Sequence, residues 1–186
     1  MISEKQNIKT SKFLSLVLRH KPETIQIKLD ENGWVSVDEL IEKLNKNGKD
    51  IDFEILKYIV DTNSKKRFAF NESKSKIRAS QGHSLQIDLN YKSLIPPETL
   101  YHGTSERFLE SILKSGIEKR NRQHVHLSSE IETALKVGQR HGKPVILEIE
   151  TEKMNMDGFK FYLSENKVWL TDYVPIEYVK NKKNNG

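Results

Sequence analysis

Ile95-Pro96-Pro97-Glu98 decides how this chain is organised, because two consecutive prolines exclude helix and impose an extended connector. A lobe boundary is placed there, giving residues 1–95, residues 96–180 and a disordered tail at 181–186. On the N-terminal side the pattern is helical. Phe13, Leu14, Val17 and Leu18 share one face of a helix expected over Ile8–His20, which Pro22 stops. Trp34-Val35 reads as a short strand. Ser36 and Glu39 form a capping box that opens a helix over Val37–Lys46, closed by Gly48. Asp52 caps the next helix, whose apolar stripe is Phe53, Leu56, Ile59 and Val60. Arg67–Phe70 and Lys76–Ala79 then read as a hairpin. Three helices followed by a hairpin outline a winged helix.

On the C-terminal side, strands alternate with short helices. Strands are expected at Thr99–His102, His124–Leu127, Val145–Ile149, Phe159–Leu163, Val168–Leu170 and Ile176–Val179. A helix over Glu106–Lys114 ends at Gly116. A second capping box, Ser129 with Glu132, opens another that runs to about Gln139. The fold class is α+β, with a β-rich second lobe, and not a doubly wound sheet.

Composition narrows the classes. Hydrophobic residues make up 35% and charged residues 31% of the 186, polar for a globular chain but enough to bury a core. The absence of cysteine rules out disulfides and thiolate zinc sites. Met1–Lys9 holds no apolar run suited to a signal peptide, and no stretch has the apolar length of a bilayer span, so a cytoplasmic protein is expected. A net charge of +5 and a pI near 9.2 suit a polyanionic partner such as RNA. Part of that excess is Lys180, Lys182 and Lys183, read as a solvated, disordered end.

Several motifs concentrate chemistry, and each also has a bland account. Neither a Gly-rich dinucleotide turn, a phosphate-binding P-loop nor His-Glu-x-x-His is present. Arg19-His20 ends the first helix, where the helix dipole alone favours cations. Arg67 follows Lys65 and Lys66 in what could be a solvated basic turn. Arg78-Ala79-Ser80-Gln81-Gly82-His83-Ser84 sets small residues, donors and a glycine after a strand, which suits a loop close to a ligand or an ordinary polar turn. His102-Gly103-Thr104 lies between a strand and a helix, where backbone amides can hold an amide or phosphate, or where Thr104 or Ser105 simply caps the helix. His124 and His126 share a strand face, but with no third ligand close by no metal is expected. Arg140 sits at a basic helix end.

The ordered set carries more than any member. Ser11-Lys12-Phe13-Leu14 through Leu18-Arg19-His20-Lys21-Pro22, Gly33-Trp34, Lys66-Arg67-Phe68, Ile77 to Ser84, Leu100-Tyr101-His102-Gly103-Thr104 and Arg122-Gln123-His124-Val125-His126-Leu127-Ser128 closely resemble the NAD-dependent RNA 2′-phosphotransferase family, best known for the last step of tRNA splicing in fungi. The resemblance runs from about Lys9 to about Val179. It implies a winged-helix first lobe and a second lobe similar to ADP-ribosyltransferases. It implies Arg19, His20, Arg67 and Arg122 as the catalytic set, with Arg140 as rival to Arg122. It assigns His102, Gly103, Thr104, His126 and Ser128 to NAD, and Arg78, Ser80, Gln81, Gly82, His83 and Arg140 to RNA or phosphate. It implies attack of the RNA 2′-phosphate on the nicotinamide ribose, an ADP-ribosylated phosphate intermediate, and release of 2′-OH RNA, nicotinamide and ADP-ribose 1″,2″-cyclic phosphate. Protein-modifying relatives carry a glutamate where Val168 stands here, which fits a nucleophile that is already ionised.

Within that reading the protein is a monomer, uses no metal and needs no protein partner. Two rivals stand beside it. One is an ADP-ribosyltransferase that stops after capping a protein or a terminal nucleic-acid phosphate. The other is a non-catalytic winged-helix module, which predicts a basic recognition helix, yet Phe53–Thr62 carries only Lys57 as a cation.

Overall fold

The computed structural model describes residues 2–181, so Lys182 and Lys183 of the expected tail lie outside the described residues. The chain divides into two units, Met1–Asn90 and Tyr91–Gly186. The division precedes the two prolines. Ser93 bridges Tyr162, and the Leu94 N–H donates to the Phe161 carbonyl at 2.8 Å, so the residues leading into Pro96 already belong to the second unit's sheet.

The first unit begins with α1 (Glu4–Arg19), which starts ahead of the expected Ile8 because Ser3 and Gln6 cap it reciprocally. A 3₁₀ turn at Pro22–Ile25 follows. Then come β1 (Val35–Ser36), α2 (Val37–Lys46), α3 (Phe53–Asp61), β2 (Phe68–Phe70) and β3 (Lys76–Ala79). The Ser36 hydroxyl accepts the Glu39 N–H and the Asp52 carboxylate accepts the Ile55 N–H, so both helices start at a local cap. β2 and β3 pair antiparallel with Phe68 opposite Ala79, and β1 lies on the other edge of β3. Leu14, Val17 and Leu18 of α1 meet Leu40, Leu44, Leu56, Ile59 and Ile77 in one fully buried core. Burying one such aliphatic side chain contributes about 1.5–3 kcal/mol.

The second unit holds β4 (Thr99–Ser105), α4 (Glu106–Ser115), β5 (Ile117–Glu118), β6 (Val125–Leu127), α5 (Ile131–Gly138), β7 (Pro144–Glu150), α6 (Thr151–Met156), β8 (Tyr162–Leu163), β9 (Trp169–Thr171), β10 (Tyr173–Val174) and β11 (Val179–Asn181). All pairings are antiparallel, in sheets ordered β11-β7-β4 and β6-β9-β8 plus the pair β10-β5. Tyr101 and Ser128 exchange backbone hydrogen bonds of 2.8 and 2.9 Å, which ties β4 to the chain leaving β6. The molecule is α+β.

Four expectations are corrected here. β4 runs past His102 to Ser105, because Gly103 to Ser105 continue the ladder against Ile146 to Pro144. No Ser129–Glu132 box opens α5. The Ser128 hydroxyl instead binds both the N–H and the carbonyl of Glu130. Of Phe159–Leu163 only Tyr162 and Leu163 are strand, since the Phe159 N–H closes α6 by donating to the Met154 carbonyl. Ile176–Tyr178 is a 3₁₀ turn and the strand begins at Val179. Lys180 therefore sits on β11, paired with Glu150 at 2.8 Å, rather than in a tail. Among the described residues no helix is long and apolar enough to cross a membrane.

Candidate active site

In the first unit the candidate residues converge on the junction of α1, the start of β2 and the loop after β3. Arg19 is the last residue of α1, and its guanidinium Nη2 donates to the Arg67 carbonyl at 3.2 Å. The same carbonyl accepts the Ser80 N–H at 2.9 Å, and the Ser80 hydroxyl donates to the Lys66 carbonyl. Arg19 and Arg67 are thus locked to one short stretch of backbone. Asn63 fixes Arg67 further, its Oδ1 accepting both the backbone N–H and Nη1 of Arg67 at 3.3 Å, while its Nδ2 donates to Ser11.

His20 caps α1, and its Nδ1 lies 3.1 Å from the Ser84 hydroxyl. The Ser84 N–H donates to the Arg19 carbonyl at 3.0 Å, and its hydroxyl lies 3.5 Å from that carbonyl. With the hydroxyl donating there, His20 Nδ1 carries the proton and Nε2 is the basic nitrogen. Gly82 has φ +85, and a Cβ there would stand 3.6 Å from Arg19 Nη1, so glycine both permits the turn and leaves space beside the guanidinium. Gln81 Oε1 is buried with no hydrogen-bond partner.

His83 is 1% exposed, and neither ring nitrogen has a hydrogen-bond partner. Burial, reinforced by the positive charges of Arg19, His20 and Arg78, pushes it down to about 4, so it is neutral at physiological pH. Arg78 lies over the Trp34 ring at 4.4 Å from its centroid.

In the second unit, β4 and β6 carry the candidates. His102 Nδ1 is 3.1 Å from the His126 carbonyl, which makes that nitrogen the donor and Nε2 the acceptor. Burial lowers its pKa most, the carbonyl bond opposes this, and the Arg122 charge lowers it further. Arg122 Nη1 reaches His126 Nδ1 at 2.6 Å. An arginine can only donate, so His126 Nδ1 accepts and its proton sits on Nε2. The Arg122 pKa is lowered by desolvation and then by Arg140, which places the two rival arginines within electrostatic reach of each other. Arg122 remains charged.

Gly103 has a use that the motif did not reveal. A Cβ there would fall 1.7 Å from the Ala134 carbonyl oxygen, and one on Gly138 would fall 2.5 Å from the Thr104 carbonyl. The two glycines let α5 lie directly on β4. Thr104 and Ser105 are buried by that packing, and the Ser105 hydroxyl finds no partner. Ser128 is held at the Tyr101 bridge. His124 stands apart, 4.0 Å from Asp172 and edge-on to the Tyr162 ring.

Sequence reasoning missed Asn63 and Ser84 as supports, and Trp34 as the platform for Arg78. Ser84 had a signal, being the last residue of a motif already singled out. Asn63 had none, because its partners are Ser11, distant in the chain, and the backbone N–H and guanidinium of Arg67.

Comparison with known proteins agrees along nearly the whole chain. A family model described as "RNA 2'-phosphotransferase, Tpt1 / KptA family" matches residues 5–173. A "Probable RNA 2'-phosphotransferase" of Fusobacterium nucleatum subsp. nucleatum is 60% identical over 175 residues, covering 94% of this chain and 98% of the relative. One of Flavobacterium johnsoniae is 61% identical over 172 residues, covering 92% and 94%. One of Acaryochloris marina is 52% identical over 168 residues, covering 90% and 93%.

Proposed function

The chain belongs to the RNA 2′-phosphotransferase family, and from that premise we propose that it removes an internal 2′-phosphate from RNA at the expense of NAD. The products are RNA with a free 2′-hydroxyl, nicotinamide and ADP-ribose 1″,2″-cyclic phosphate. The observation that carries the reading is the first unit's cluster, where the Arg19 guanidinium donates to the Arg67 backbone carbonyl and the charges of Arg19 and Arg78 both bear on His83. Gathering like charges costs free energy that a bound dianion offsets. We read this unit as a winged helix and the second as an ADP-ribosyltransferase-like lobe.

The second unit's residues suit the dinucleotide. His102 presents an acceptor at Nε2 and His126 a donor at Nε2, each tautomer fixed by its other nitrogen, which is the complement that ribose hydroxyls require. NAD supplies an activated anomeric carbon with a good leaving group. A phosphate monoester is largely dianionic at neutral pH, so no strong base is needed to make it a nucleophile. Arg19 and Arg67 bind and orient it through paired N–H groups, and Arg122 helps stabilise the charge that accumulates at phosphorus. His20 Nε2 takes the proton of the ribose 2″-hydroxyl as that oxygen attacks phosphorus, and returns it to the departing RNA 2′ oxygen. The sum consumes no water and releases no net proton from the second step.

Product analysis tests this. Incubation with NAD and an internally 2′-phosphorylated oligonucleotide should yield the cyclic phosphate and nicotinamide in equal amounts. A stable ADP-ribosylated phosphate as the end product would instead make the protein an ADP-ribosyltransferase. Arg67→Ala and Arg19→Ala should each lower kcat by roughly 10²–10³. A His20→Asn enzyme that completed the second step at the wild-type rate would remove His20 from proton transfer. The binding-module alternative is weakened further, because Lys57, the one cation of α3, is engaged by Asp61.

A further inference from the structure

The first unit carries an open groove of about 300 Å³ that the reaction above does not use, lined by Lys28, Leu29, Asp30, Trp34 and Lys76 among others. Its volume is at the lower end of the range for small-ligand sites, roughly 300–1,000 Å³, and suits one nucleoside unit rather than a duplex. The groove is built, not incidental. Asp30 Oδ1 accepts the N–H groups of Asn32 and Trp34, the Asp30 N–H donates to the Trp34 carbonyl, and the Gly33 N–H donates to the Asp30 carbonyl. This closed turn fixes the backbone at Trp34, a half-buried residue of the lining. Asp30 Oδ2 is engaged by Lys76 at 3.3 Å, so these two charges offset each other. Lys28 is exposed.

The groove also has an address. Arg78 lies on the Trp34 ring, and its charge bears on His83 together with those of Arg19 and His20. Arg78 is on β3, which carries Lys76 at its start and runs into the loop of Ser80 to Ser84, so the groove and the phosphate cluster adjoin one strand of the same unit. A half-buried aromatic plane with a lysine on its rim is the combination that holds a single-stranded base and its phosphodiester.

We propose that this groove binds the RNA nucleotide adjoining the 2′-phosphorylated one, with its base against Trp34 and its backbone phosphate near Lys28. The inference rests on the reaction proposed above for the choice of RNA, and the following test separates the two. The chain has two tryptophans, so Trp169→Phe leaves Trp34 as the only tryptophan, which selective excitation reads apart from tyrosine. Titrating that variant with a short single-stranded RNA that lacks any 2′-phosphate, with no NAD present, should quench its fluorescence. Lys28→Glu should weaken that binding about tenfold. In steady-state assays of the otherwise wild-type chain, Lys28→Glu should raise KM about tenfold for an internally 2′-phosphorylated oligonucleotide, leaving kcat within twofold. KM for a nucleoside 2′-phosphate, which has no neighbour to bind, should not move.

Absence of quenching, or an equal rise in KM for both substrates, overturns the groove. An inactive enzyme that still shows Lys28-dependent quenching would sink the reaction and keep the groove. An active enzyme without quenching would do the reverse.

Discussion

The two units start their helices in different ways. In the first, α1, α2 and α3 each begin at a side-chain cap, Ser3, Ser36 and Asp52. In the second, α4, α5 and α6 have no side-chain cap at all. α4 and α6 come straight off strands β4 and β7, and their first amides are satisfied by remote carbonyls. The Glu106 N–H donates to Lys143 and the Glu152 N–H to Glu98, while the Thr151 hydroxyl donates to Pro97. Orphan amides must be paired somewhere. The first unit pairs them within four residues of sequence, and the second pairs them through tertiary structure. A unit of the first kind is held together by side chains and should tolerate backbone changes. One of the second kind is held by backbone approach and should not.

Glycine substitutions should break that comparison most sharply. Gly103→Ala forces a Cβ onto the Ala134 carbonyl at 1.7 Å, an overlap that only separation of α5 from β4 relieves. It should cost more than about 3 kcal/mol. Gly48→Ala in the first unit, at φ +71 with nothing within 4 Å, should cost only about 1 kcal/mol of backbone strain. Thermal unfolding of the two variants measures the difference, and similar midpoints would dissolve the distinction.

Next in size is a pH effect that belongs to the first unit. His83 is held at about 4, against an ordinary 6.5, by burial and by Arg19, His20 and Arg78. The unfolded chain therefore binds a proton between those values that the folded chain refuses. Stability from this group is complete above pH 6.5 and is lost as pH falls toward 4, by about 3 kcal/mol in all. His102 and His124 of the second unit are also lowered by burial, but a carbonyl and Asp172 respectively oppose the shift. Denaturant titrations from pH 7 to 4 should show a shallower loss in His83→Gln than in the wild type. Parallel curves would mean that His83 carries no such strain.

Asn63→Ala probes the side-chain logic of the same unit. It removes the acceptor for two donors of Arg67 and the donor to Ser11, and should lower stability by about 1–2 kcal/mol. On the proposed function kcat/KM should fall about tenfold, because Arg67 loses its fixed direction. An unchanged kcat/KM would show that the lock to the Arg19 side chain suffices.

This residue also marks where the sequence stops being readable. Arg19, His20, Ser80, Gly82 and His83 could be named because their short runs resemble the family's motifs, and the structure brings them together around α1 and the loop after β3. Asn63 sits in an ordinary polar turn, and its meaning depends on Ser11, far away in the chain. The fold divides the same way. α2 and α3 were legible from Ser36 and Asp52. α6 was not, because Thr-Glu-Lys-Met-Asn-Met is short, polar and closed by Pro97 and Glu98 rather than by itself.

The smallest expected effect tests that division directly. Ser129 and Glu132 have the spacing of a capping box, yet the cap position of α5 is Glu130, and the hydroxyl that binds its backbone belongs to Ser128. A serine that caps nothing should be replaceable, so Ser129→Ala should change stability by less than about 0.5 kcal/mol. Asp52→Ala, which removes a 2.7 Å acceptor from the Ile55 N–H, should cost about 1 kcal/mol. Both are exposed, single-residue changes at a helix start, so burial cannot explain a difference between them. If Ser129→Ala were as costly as Asp52→Ala, α5 would be capped locally after all. The second unit's helix starts would then depend on sequence in the same way as the first's.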